Sequence, residues 1–104
     1  MEAEPPTTLA ECRLDVPALR EQRDRYRRLG AHVEHVERAP GRVAVEFDSA
    51  VDIALVQYTL AVERECCPFF VLEWDGDARR LTVGVERADQ APALEAIASA
   101  FGLA

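Results

Sequence analysis

Lysine is absent from this chain, and all twelve positive charges are arginine. Nineteen Asp and Glu residues oppose them, for a net charge of −7. An acidic balance of that size works against general binding to nucleic acid or to an anionic membrane surface, both of which need excess positive charge. The exclusive use of arginine reads as codon bias and carries no function. No apolar run approaches the ~20 residues that span a bilayer. The opening MEAEPPTTLAEC is acidic and lacks the basic and apolar regions of a secretory signal. Cysteine is scarce: only Cys12, Cys66 and Cys67 occur. An odd count without a secretion signal points to a reducing, cytoplasmic setting rather than a disulfide framework. Nucleophile-elbow, phosphate-loop and dinucleotide fingerprints are all missing. The carboxylates fall singly on polar faces. A non-enzymatic protein with no obligatory cofactor is therefore expected.

What is present suits one small globular domain. The chain has 104 residues, of which 49% are hydrophobic and 30% charged, enough for a thin core. Residues 1–8, with Pro5-Pro6 and Thr7-Thr8 among acids, read as a flexible lead-in, and 9–104 as a single domain. Leu9 to Leu14 alternates like a short strand, with Cys12 on its apolar side. Asp15 then caps a helix with Pro17 in its first turn and Gly30 at its end. Val16, Leu19, Tyr26 and Leu29 are its apolar positions. Glu21–Arg25 and Asp24–Arg28 are supporting pairs at i,i+4.

Two hairpins are expected at about 31–47 and 69–86, turning at Pro40-Gly41 and Asp75-Gly76. In the first arm Val33 and Val36 break strict alternation, which suggests a bulge. Val43, Val45 and Phe47 alternate cleanly in the second. Between the hairpins lies an apolar helix. Ser49 and Asp52 resemble a capping box at its start. Val51, Leu55, Tyr58, Val62 and Cys66 form its stripe, with Ile53, Val56 and Leu60 beside it. Pro68 stops it and should leave Cys67 non-helical. Leu81, Val83 and Val85 mark the last strand, and Asp89 opens a helix with the face Leu94, Ile97, Ala98 and Phe101. The order is β-α-β-β-α-β-β-α, two α-β-β units. The expected fold is α+β, an antiparallel sheet of four to five strands with helices on one face.

The adjacent cysteines carry the chemical signal. Their Cα atoms stand ~3.8 Å apart across a trans peptide, below the ~4.4 Å minimum for an unstrained disulfide. On a regular helix their side chains would diverge by about 100°, but the unwinding turn before Pro68 lets the second swing back. Two tethered thiolates suit soft ions, and Cys12 can supply a third. Three thiolates without a fourth ligand suit Hg(II), As(III) or Cu(I). Zn(II) prefers four ligands and would need His32 or His35. The candidate metal ligands are Cys12, Cys66 and Cys67. The helix C-terminus and the neighbouring Glu63 and Glu65 disfavour a bare catalytic thiolate there, an objection that a bound cation removes.

The stretch Glu63-Arg64-Glu65-Cys66-Cys67-Pro68-Phe69-Phe70, the hairpin behind it and Cys12 in a Cys-x-Leu context resemble a group of small bacterial domains. These carry an E-x-C-C-x-F-F or E-x-C-C-P-F signature and often an N-terminal cysteine. The likeness spans roughly residues 10–102. Such domains accompany heavy-metal and arsenic resistance genes and are sometimes fused to metal-responsive regulators. The resemblance implies handling of a thiophilic metal or metalloid. No helix-turn-helix is visible, so a regulatory role would need a partner.

Two alternatives stand beside metal binding. Buried cysteines often act as small hydrophobes, which would leave a protein-interaction or homodimerisation module. A Cys12–Cys66 or Cys12–Cys67 disulfide would instead make a thiol redox protein. Arg20, Arg23, Arg25, Arg27 and Arg28, interleaved with acids, read as a solvated surface or as a docking site for an acidic partner. Phe69, Phe70, Leu72 and Trp74 read as core filling both sheet faces or, if one face is left exposed, as a dimer interface or a ligand groove.

Overall fold

The computed structural model describes residues 15–103. The lead-in and the strand expected at Leu9–Leu14, Cys12 included, lie outside these residues. The rest is the expected α+β arrangement. Helix α1 (Val16–Gly30) leads to strands β1 (Val33–Ala39) and β2 (Arg42–Phe47). Helix α2 (Ile53–Cys66) leads to β3 (Val71–Asp75) and β4 (Arg80–Gly84), and a short 3-10 turn precedes α3 (Ala91–Ala100). Among the described residues the sheet has four strands in the order β1-β2-β4-β3, and every pairing is antiparallel. No described helix is long and apolar enough to cross a membrane.

Register explains which face is covered. Val43 pairs with Val83 and Val45 with Leu81, and all four are buried. Leu72 and Trp74 sit opposite Val83 and Leu81 and extend the same layer. On β1 the register slips between Val33 and His35. That bulge places Val33 opposite Phe47 and Val36 opposite Val45, on one face, and resolves the broken alternation. Tyr26, Leu29, Val56, Leu60, Leu94 and Ile97 of the three helices, with Phe101 at the C-cap of α3, close over this layer. The reverse face is polar: Arg80 bonds Glu46 at 2.7 Å and also holds Glu37. Of the aromatic cluster, Leu72 and Trp74 therefore lie on one sheet face, and Phe69 and Phe70 precede β3.

The helix termini follow local chemistry. The Asp15 side chain accepts from the Ala18 amide at 2.9 Å. In α1, Arg25–Glu21 and Arg28–Asp24 pair as expected, while Val16 faces solvent. Gly30 is forced by packing, because a Cβ there would lie 1.9 Å from the Phe101 carbonyl oxygen. The Pro40-Gly41 turn closes the first hairpin in two residues, with Gly41 at φ +73°. The second hairpin turns over four residues, and Arg79 rather than Gly76 takes the positive φ.

Three expectations are corrected. Asp52 is itself the N-cap of α2 and accepts from Leu55 N at 3.1 Å, so Ser49 caps nothing there. The buried stripe is Val56, Thr59, Leu60, Glu63 and Cys66, about one position round from the expected one, which leaves Tyr58 exposed and Leu55 only half-buried. A helix apolar over most of its circumference has no strong periodicity to fix its rotation. Asp89 lies inside the 3-10 turn, whose N-cap is Arg87. It ion-pairs with Arg87 at 2.7 Å instead of capping α3.

A candidate metal centre at the end of the second helix

Glu63 and Cys66 stand three residues apart on α2 and so share a face. The helix ends at Cys66, and Cys67 is its C-cap with φ −132° and ψ 73°, outside the helical region as the following proline requires. This break turns the Cys67 side chain back toward its neighbour. The two Sγ atoms stand 3.6 Å apart, too far for a bond between them. A Glu63 carboxylate oxygen and the two sulfurs all lie within 4.8 Å of one another, and all three residues are buried. Among the described residues this is the one cluster of ligand-type side chains with such geometry.

Helix α1 holds the carboxylate in place. Tyr26 OH donates to Glu63 Oε1 at 2.7 Å, and Gln22 Nε2 donates to the same oxygen at 3.1 Å. Gln22 Nε2 also reaches the Thr59 carbonyl at 3.0 Å. Arg25 donates to Gln22 Oε1 at 2.5 Å and anchors the amide from the solvent side. Glu63 Oε2 is left facing the Cys66 sulfur at 3.9 Å. Among the described residues, none of the ion pairs includes Glu63. Burial raises the Tyr26 phenol well above its ordinary range, and the Glu63 charge beside it adds to the effect. Tyr26 therefore stays a protonated donor.

The sequence-derived ligands divide three ways. Cys66 and Cys67 come together. Cys12 lies outside the described residues. The histidines considered for zinc are elsewhere: His32 Nδ1 bonds the Asp48 carboxylate at 3.0 Å, and His35 is exposed on the polar face of β1. Three members of the site were missed. In the sequence Glu63 reads only as unfavourable charge, Tyr26 only as an apolar helix position, and Gln22 as no part of a site. Two signals existed. Glu63 and Cys66 have helical i,i+3 spacing, and Gln22 interrupts the stripe Leu19, Tyr26, Leu29.

Both cysteines are among the residues that line a cleft of about 520 Å³ between α1, the end of α2 and α3. Phe69 and Phe70, which precede β3 rather than belonging to it, line the same cleft. Arg23 and Arg27 reach it from α1. No family model matches the chain, and neither curated proteins nor solved structures yield a match.

Proposed function

We propose that the protein binds a thiophilic ion of bent coordination, As(III) foremost, through Cys66 and Cys67, with Cys12 as the third thiol. The observation that carries this is the 3.6 Å separation of the two sulfurs beside a buried carboxylate. Two thiolate bonds of ~2.3 Å that span this gap enclose an angle of roughly 100°. Linear coordination, as preferred by Hg(II), would hold the sulfurs ~4.6 Å apart on the same bond lengths. A pyramidal metalloid or a tetrahedral ion fits them where they stand. Zinc needs four ligands; with neither His32 nor His35 in the cluster it would have to take both Glu63 and Cys12, whereas arsenic needs only the thiols. The likeness to domains of arsenic and heavy-metal resistance points the same way.

The role is binding rather than turnover. Adjacent sulfurs make the second bond intramolecular, at high effective concentration. Covalent As–S bonds also leave no free thiolate charge to crowd against Glu63 at a helix C-terminus. Glu63 stands as an oxygen donor or as the acceptor of a thiol proton. Native mass spectrometry of the reduced chain with equimolar arsenite tests this. One arsenic per chain is expected, lost in the Cys66→Ser, Cys67→Ser double variant. Equal uptake by both proteins would overturn the reading.

A further inference from the structure

A bare ion needs only its ligand atoms, yet Cys66 and Cys67 are among the residues lining a cleft of about 520 Å³, a volume typical of small-molecule sites. Its lining combines the two cysteines with apolar side chains, Leu19 of α1, Phe69 and Phe70 after α2, and Ala96 and Ile97 of α3, and with Arg23 and Arg27 of α1. We infer that the site takes a monosubstituted trivalent arsenical, R–As(OH)2 with an apolar R, and that the cleft houses R. This rests on the reading of Cys66 and Cys67 as arsenic ligands.

The stoichiometry of bonds fits the side chains present. Two thiols condense with R–As(OH)2 to give R–As(S)2 and two waters. Two As–O bonds break and two As–S bonds form, and each thiol proton leaves with a hydroxyl group. No electron changes hands. Arsenic keeps three substituents, two sulfurs and one carbon, so the two adjacent cysteines complete the site without Cys12. The bend of roughly 100° between the sulfurs leaves the third, pyramidal direction for carbon. An organomercurial differs here, because linear R–Hg takes a single thiolate.

The cleft makes a prediction that thiol chemistry alone does not. Any dithiol binds organoarsenicals, so the informative quantity is the preference for a large R over a small one. Full burial of a phenylalanine-sized group is worth about ten- to hundredfold in affinity. The probes are phenylarsonous acid, methylarsonous acid and arsenite, each competed against dithiothreitol, whose own phenyl-to-methyl ratio sets the reference. The wild-type chain should exceed that reference ratio by at least about tenfold. Ala96 is exposed on α3, so Ala96→Phe fills the cleft without touching the core. That variant should lose the excess preference, its phenyl-to-methyl ratio falling to the dithiothreitol reference. The Cys12→Ser variant should bind phenylarsonous acid as wild type does while losing affinity for arsenite. A phenyl-to-methyl ratio equal to that of dithiothreitol, with binding still dependent on Cys66 and Cys67, overturns this inference and leaves the arsenic reading intact. Failure of all three probes to bind in a manner dependent on Cys66 and Cys67 overturns both.

Discussion

The Tyr26 phenol donates to the Glu63 carboxylate at 2.7 Å across the contact between α1 and α2. This bond joins the sole tyrosine of α1 to the acid that stands beside both thiols. It makes the site a feature of helix packing as well as of the Cys-Cys-Pro turn. Burial raises the Tyr26 phenol, with Glu63 adding to the shift. A folded-state value above the unfolded ~10 means that the folded chain holds a proton that the unfolded chain loses. The stabilisation is complete below pH ~10 and declines above it as the unfolded state ionises. Urea melts from pH 8 to 11 should show that decline, and Tyr26→Phe should flatten it. In a Tyr58→Phe background the tyrosinate absorbance should appear only as the chain unfolds. Tyrosinate forming in the folded protein near pH 10 would contradict the burial.

Glu63→Gln keeps the size of the side chain and its acceptor for Tyr26 while removing the charge. Arsenite affinity should fall by about tenfold or more, as for groups that orient or support metal ligands. Competition titration against a small dithiol reads the change. Unaltered affinity would make the carboxylate a packing element with no part in binding.

Gly30→Ala would put a Cβ against the Phe101 backbone, 1.9 Å from its carbonyl oxygen. Backbone cannot yield as a side-chain tip does, so the ends of α1 and α3 must separate. A loss of about 3 kcal/mol is expected, at the upper end of overpacking costs, read from the denaturation midpoint. Wild-type stability would show that the two helix ends are not in contact.

Leu60 is fully buried on α2, whereas Leu55 is half-buried. Leu60→Ala should cost about 2–5 kcal/mol, as for a buried leucine that leaves a cavity. Leu55→Ala should cost less than half of that. The reverse order in chemical denaturation would return the buried stripe to Leu55, Tyr58 and Val62.

The sheet was legible in the residues because its signals are local. Val43, Val45 and Phe47 alternate, Pro40-Gly41 fits a two-residue turn, and the misfit of Val33 with Val36 marked the bulge that the register shows. The rotation of α2 was not legible. Its apolar residues surround the helix, and what fixes the buried side is the tertiary contact of Thr59 and Glu63 with Gln22 and Tyr26. For the same reason half of the site escaped. Cys66-Cys67-Pro68 is a contiguous pattern, but a buried glutamate looks like any surface acid until the donors facing it are placed. Those donors lie 41 and 37 residues away along the chain.

Arsenic-edge X-ray absorption on the reduced protein loaded with one equivalent of arsenite tests the proposed site most directly. It should show a sulfur shell near the ~2.3 Å of a metal–thiolate bond. That shell should hold three sulfurs in the wild type and two in Cys12→Ser, and vanish in favour of oxygen in the Cys66→Ser, Cys67→Ser double variant. A sulfur shell in the double variant equal to that of the wild type, or an oxygen-only shell in the wild type, would contradict arsenic binding at Cys66 and Cys67.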